Sequence, residues 1–371
     1  MNTPYYQYDL DILDKTLQAI RKNTSDIENC HIHYAIKANS NPIILAKIKE
    51  YGFGIDCVSG GEIQATLNAG INPSEIVFAG VGKADWEIDL ALASGISCFN
   101  VESEAELDVI IERCKALGKC ADIALRTNPN VDAHTHANIT TGLSENKFGI
   151  EIPMLENVIR KVMAEPCLTF IGLHFHIGSQ ILDMHPFEEL CNKINQLSQD
   201  LEAKGISLKS INVGGGLGID YDNPEENPIP DFESYFNVFR KNLKLKPGQA
   251  LHFEPGRSIV GQCGRLITKV LYVKKGTIKQ FAIVDAGMTD LIRPALYDAH
   301  HKIVNLTSKG VATKYDVVGP ICESSDVFAK DVELPETKRG DMIALLSAGA
   351  YGEAMASQYN LRKLPGSESI N

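Results

Sequence analysis

Through most of the first 255 residues, short apolar runs alternate with stretches whose apolar positions recur every three or four residues. The apolar runs are rich in β-branched and aromatic residues and predict strands over 31–36, 54–58, 76–79, 96–101, 121–127, 169–175, 208–213 and 251–254. The stretches of helical period predict helices over 42–51, 61–69, 84–93, 103–117, 153–163, 187–204 and 231–242. Two of these carry start signals. Asn41-Pro42 supplies a cap and a first helical residue, and Ser103-Glu-Ala-Glu has the spacing of a capping box. Strands that are apolar on both faces, each leading into a helix, belong in a parallel sheet covered on both sides. Eight of them predict an α/β fold of the closed (β/α)8 type, with an open doubly wound sheet as the alternative.

After Gly256 the texture changes. Strands are predicted over 258–260, 266–273, 281–284, 315–318 and 342–346, separated by Lys-Lys-Gly, Ser-Lys-Gly and Arg-Gly-Asp turns with almost no helical period. The chain therefore divides into a barrel over 26–256 and a mainly β domain, barrel or sandwich, over 257–371. The polar stretch 128–150 is long for a loop inside a barrel and is a functional-loop candidate.

Composition narrows the function classes. A formal net charge of −11, from 36 basic and 47 acidic residues with no basic run, argues against nucleic acid or an anionic membrane surface as partner. Nine cysteines, scattered and without a C-x-x-C pair, argue against a disulfide framework or a structural zinc site and fit a reducing cytoplasm. No signal-peptide pattern opens the sequence and no apolar run approaches the length of a membrane span.

In a (β/α)8 barrel the chemistry sits at the C-terminal ends of the strands. Lys37 ends the first predicted strand, Asp56 lies near the end of the second, and His176 follows the sixth. Gly214-Gly215-Gly216 follows the seventh, and Glu254-Pro-Gly-Arg257 closes the eighth. Each feature has an ordinary reading. A lysine at a strand end is commonly a solvated cation, a glycine run can serve a turn with no ligand, and Glu254 and Arg257 could pair with each other. His174 and His176 would share a strand face, and i, i+2 pairs recur at 31/33 and 134/136, yet none has the helical spacing of a metal motif, and no metal is expected. The glycine run is not G-x-G-x-x-G, which disfavours a dinucleotide site. Five such features at one rim point more economically to one ligand. A lysine amine, backbone donors for a phosphate, a carboxylate and an imidazole together suit pyridoxal 5′-phosphate (PLP). The amine condenses with the aldehyde, which needs a neutral fraction that burial would promote. The carboxylate keeps the pyridine nitrogen protonated, and the imidazole lies against the ring.

The ordered set Tyr34-Ala-Ile-Lys-Ala-Asn39, His174-Phe-His-Ile-Gly-Ser-Gln180, Val213-Gly-Gly-Gly-Leu-Gly218, Glu254-Pro-Gly-Arg257 and Cys322-Glu-Ser-Ser-Asp326 resembles the barrel-type, alanine racemase-like PLP decarboxylases. Within them, "VDAHTHANITTGLSENKFGI" and "GPICESSDVFAKD" resemble the diaminopimelate decarboxylases, over nearly the whole chain. The resemblance implies a PLP barrel followed by a β domain, to which the segment 1–25 adds a strand. It implies decarboxylation of meso-2,6-diaminopimelate to L-lysine in a cytoplasmic homodimer with active sites at the interface. Lys37 would carry PLP, with Asp56 nearby, His176 on the ring and Glu254 at its nitrogen. Ser179, Gly214, Gly215, Gly216, Gly256 and Tyr351 would hold the phosphate or its surroundings. Arg257, Arg293 and Tyr297 would bind the distal carboxylate, and Glu323 the distal ammonium. Cys322, from the neighbouring subunit, would be the proton donor. The chain ends soon after Tyr359, so strands that close the β domain are expected to be trimmed. Decarboxylases of ornithine, arginine or carboxynorspermidine, or a non-catalytic PLP-binding homologue, are the alternatives.

Overall fold

The computed structural model describes residues 2–131 and 147–371, so most of the candidate loop, with His134 and His136, lies outside the described residues. The chain divides into two units. One comprises Leu17–Gly218 and Asp231–Gly256, the other Met1–Thr16, Ile219–Pro230 and Arg257–Asn371. Residues 219–230, expected with the barrel, group with the β-rich unit.

The first strand in the chain, β1 (Tyr5–Asp9), belongs to the β-rich unit. Next come β2 (Cys30–Ala35), β3 (Gly54–Cys57), β4 (Ile76–Phe78), β5 (Cys98–Val101), β6 (Ala121–Arg126), β7 (Leu168–His174), β8 (Ser210–Asn212) and β9 (Ala250–Phe253), which pair in that order and close into a parallel barrel. All eight overlap the strands expected from the apolar runs, and a helix lies in each expected interval. β2 closes on β9 with Cys30 opposite Leu251 and Ile32 opposite Phe253. Local signals set the helix starts. Asn41 Oδ1 accepts the Ile43 N–H at 3.0 Å, and Ser103 Oγ accepts that of Glu106 at 3.1 Å. The capping box is only half made, because the Glu106 carboxylate reaches back to the Glu102 N–H. Outside the barrel, helix Phe232–Asn242 buries Phe232, Tyr235, Phe236 and Phe239, and Phe236 meets Phe253 edge-on at 4.9 Å.

The interior of the barrel is mixed. Val77, Cys98 and Ala124 form an apolar cluster with Ile171 packed on it. At the β2–β9 seam, His33 Nε2 and His252 Nδ1 are 2.9 Å apart, and His31 stacks on His252 with ring centroids 4.8 Å apart. Gly172 gives β7 room beside β8, since a Cβ there would stand 1.9 Å from the Ser210 carbonyl oxygen.

The second unit is built on β10 (Gly264–Lys275), β11 (Gln280–Val284), β12 (Ile303–Asn305), β13 (Ala312–Val318), β14 (Val327–Pro335), β15 (Met342–Leu345) and β16 (Gly366–Ile370), paired in the order β12-β15-β10-β11-β13-β14. β1 adds antiparallel to β10, and β16 adds parallel to β1. One local expectation changes here. Residues 258–260 lie in the short helix Arg257–Val260 and not in a strand. Helix Leu10–Thr24 follows β1, its buried Leu13, Leu17 and Ile20 set at helical spacing. The strand β16 lies beyond Tyr359.

Candidate active site

The C-terminal ends of the barrel strands gather the polar residues. Glu254, just after β9, is buried. Its Oε1 accepts from Asn212 Nδ2 at 2.6 Å and from Asn100 Nδ2 at 3.2 Å, and its Oε2 lies 2.9 Å from His174 Nε2. Burial pushes a carboxyl toward its neutral form. Here the His174 imidazole, Lys37 and the Asn212 bond outweigh burial and hold Glu254 well below the usual carboxylate range. A carboxylate offers about four acceptor positions, so three protein donors leave room for one more.

Lys37 lies in the turn Ile36–Ala38 after β2. Its Nζ is 3.8 Å from Asp56 Oδ2, and its side chain is 40% exposed where that of Asp56 is 1% exposed. The Lys37 side chain is thus partly exposed, beside a buried carboxyl. The cost of burial falls instead on Asp56, whose carboxyl is raised well above its usual range by desolvation and by Glu254, with Lys37 opposing. Asp56 Oδ1 is buried with no hydrogen-bond partner among the described residues.

His176 is half-buried, and burial together with the Lys37 and Arg126 charges holds it well below its ordinary value, hence neutral. Its Nδ1 lies 3.3 Å from the Gly215 N, which donates to it. The Gly214 N–H donates to Asn212 Oδ1 at 2.9 Å. Two of the three glycine donors are therefore already engaged by protein groups. What the run supplies above all is closeness. A Cβ at Gly214 would meet the Phe175 oxygen at 2.4 Å, and one at Gly215 the Glu254 oxygen at 2.2 Å. Gly216 has φ +113°. Gly256 packs against Ala35, and Ser179 is half-buried nearby in the chain after β7.

The β-rich unit assembles a second group. Buried Arg257 and Arg293 each donate through Nη1 to the Tyr221 hydroxyl oxygen, both at 2.7 Å. Arg257 also stands over the Tyr351 ring at 5.0 Å, and Tyr351 has φ +57°. Tyr297 ends helix Arg293–Tyr297 and is half-buried. Cys322 and Glu323 are exposed on a loop pinned by buried Asp326, which accepts from the Ile321 and Met288 N–H groups, both at 2.6 Å.

A family model for the pyridoxal-binding domain of pyridoxal-dependent decarboxylases matches residues 11–261. A diaminopimelate decarboxylase of Bacteroides thetaiotaomicron is 60% identical over 98% of this chain and 95% of its own length. The chain belongs to the diaminopimelate decarboxylase family. A crystal structure of the Helicobacter pylori diaminopimelate decarboxylase complexed with L-lysine is 44% identical, covers 100% of this chain and 92% of that one, and superposes with a TM-score of 0.94. One from M. jannaschii, also in complex with L-lysine, is 34% identical over 99% of this chain and 87% of its own, with a TM-score of 0.91.

Diaminopimelate decarboxylases are PLP-dependent carboxy-lyases, and the barrel residues of this member fit that cofactor. The Lys37 amine, the ionised Glu254 with an acceptor position to spare, the neutral His176 and an Asp56 oxygen without a partner among the described residues are groups that suit an aldehyde and a protonated pyridine. Several supporting residues escaped the sequence reading. His174 has no role of its own in the sequence expectations, and Asn100 and Asn212 are lone polar residues inside apolar strands. Buried Glu102 binds Arg126 at 2.8 Å and accepts the Gly80 and Gly149 N–H groups, tying three strand exits together. Tyr221 carries no motif at all; a buried arginine pair needing an acceptor is the signal that finds it. Among the described residues, no helix is long and apolar enough to cross a membrane.

Proposed function

We propose that this chain removes one carboxyl group of meso-2,6-diaminopimelate as CO2 to give L-lysine, the last step of lysine biosynthesis, as a cytoplasmic homodimer. PLP, when bound, supplies an aldehyde that captures the substrate amine and a protonated ring that takes up the electron pair left by CO2. Lys37 holds the cofactor, with Asp56 beside it. His176 covers the ring, and Glu254 keeps the pyridine nitrogen protonated. The phosphate is held by Gly214, Gly215, Gly216, Ser179, Gly256, Arg257 and Tyr351, with the Gly216 N–H as one donor. Arg257, Arg293 and Tyr297 take the distal carboxylate through charge-assisted bonds, which a guanidinium fork suits better than an ammonium does. Glu323 takes the distal ammonium, and the partner's copy of Cys322 delivers the proton to Cα.

The observation that carries this reading is Glu254, a buried carboxylate kept ionised by three donors at the strand ends that also hold Lys37 and His176. Decarboxylases of ornithine, arginine or carboxynorspermidine would have no use for two buried arginines aimed at one acceptor. Two measurements decide. CO2 release is expected from meso-diaminopimelate and not from those three substrates. Lys37→Ala is expected to lose both turnover and the near-visible absorbance of lysine-bound PLP, and a variant that kept both would sink the assignment.

A further inference from the structure

Tyr221 is the centre of the arginine group. Asp220, beside it, accepts from the Asp222 and Asn223 N–H groups and from Asn227 Nδ2, at 2.8–2.9 Å, and so fixes the loop that carries the ring. The phenol oxygen receives both Nη1 donors at 2.7 Å, which uses its two lone pairs. Arg293 also stands over the Tyr221 ring, its Cζ 5.2 Å from the centroid. His301 closes the group from the other side. Its Nδ1 meets the Leu346 carbonyl oxygen at 2.9 Å and must donate there, so its Nε2 lone pair faces Arg293 Nη1 at 3.3 Å. Arg293 Nη1 is thus shared by two acceptors, while its buried Nε has none among the described residues.

Two guanidinium groups brought to one point repel each other unless something between them accepts from both. We propose that Tyr221 is the positioning residue of the arginine pair, holding Arg257 and Arg293 together so that they receive the distal carboxylate of the substrate as one unit. The proposal rests on the reading that these arginines bind that carboxylate. It assigns to Tyr221 no contact with the reacting atoms. A carboxylate arriving at the pair finds both cations already converged. In agreement, the two arginines lower the Tyr221 phenol below its ordinary range although burial pushes the other way.

Tyr221→Phe tests this in the holoenzyme, because it removes one oxygen and keeps the ring contacts. The variant is expected to raise KM for meso-diaminopimelate about tenfold while kcat stays within about threefold, the pattern of lost binding without lost chemistry. Inhibition by L-lysine, which retains a carboxylate, is expected to weaken in parallel, and inhibition by cadaverine, which has none, to stay unchanged. A readout independent of turnover is the tyrosinate absorbance at 295 nm. Wild type is expected to show one tyrosine ionising ahead of the rest, below about 10, and the variant to lack it. Arg293→Gln separates the two layers of the argument. If it leaves KM and L-lysine inhibition at wild-type values, the carboxylate reading falls and this proposal with it. If Arg293→Gln weakens both while Tyr221→Phe matches wild type, the role of Tyr221 alone is overturned. Should Tyr221→Phe fail to fold, the wild-type titration still decides, since the absence of any early tyrosine overturns the proposal.

Discussion

Glu254 and the histidine pair His33 and His252 show how burial acts with opposite outcomes on single residues. The Glu254 carboxyl is held below its ordinary value of about 4.3, so its contribution to stability is present above that pH and lost only as pH falls through the depressed value. His33 and His252 are pushed down, chiefly by burial, to about 4 and about 3. Around them stand His31, stacked on His252, the Glu75 carbonyl beside His33, the His174 ring on the His252 side, and the Glu254 charge, which acts on the pair from a distance. Both imidazoles are neutral in the fold. As pH drops below about 6.5, the unfolded chain binds protons that the folded chain refuses. Each such histidine then costs roughly 1.4 kcal/mol per pH unit until its folded value is reached. The melting midpoint is therefore expected to fall between pH 7 and pH 5, and to fall less steeply in His33→Asn. A flat profile over that range would count against a neutral buried pair. These residues also mark what a sequence can reveal at this scale. Lys37, His176 and Glu254 were legible because each breaks an apolar strand at its exit. Asn100 and Asn212 were not, since only strand pairing, with Asn212 beside both His174 and His252, brings them to one carboxylate.

At the scale of elements, the barrel was legible because strands buried on both faces must be apolar and their helices must carry a stripe. The β-rich unit was harder to read. β14 alternates irregularly, with Lys330 and Asp331 exposed in its middle, and β12 is three residues long. Helix Leu10–Thr24 has a full apolar stripe, in a segment for which only an added strand was expected. The glycine run has a second property besides its backbone donors. Its thinness lets the turn after β8 touch the end of β9. Gly215→Ala would drive a methyl group into the Glu254 backbone and shift the carboxylate from its three donors. A loss of about 1–3 kcal/mol is expected from such overpacking, together with weaker PLP retention on dialysis. Gly205→Ala provides the contrast, for no atom lies within 4 Å of its Cβ position, although φ +77° carries a strain of its own. If Gly215→Ala retained PLP and melted like wild type, the close approach would have no functional weight.

The whole molecule enters through Cys322, the assigned residue that a single chain explains least. Asp326 fixes its loop through short bonds to Ile321 and Met288, yet Cys322 and Glu323 themselves remain exposed. A rigid loop that displays a thiol and a carboxylate to solvent suits residues donated to another copy. In a two-fold dimer each copy would give its loop to the other's site. Complementation separates this from service in the home chain. Lys37→Ala and Cys322→Ala are each expected to be inactive or nearly so. When the two variants are co-expressed, a mixed dimer has one site carrying both defects and one carrying neither. With random pairing, half of the dimers are mixed, so the preparation is expected to recover about a quarter of wild-type turnover. If Cys322 served its own chain, every site in the mixed dimer would carry one defect and no activity would return. The recovered fraction, measured as CO2 from meso-diaminopimelate, thus tests the dimer and the donor in one experiment, and zero recovery would remove Cys322 from the partner's site.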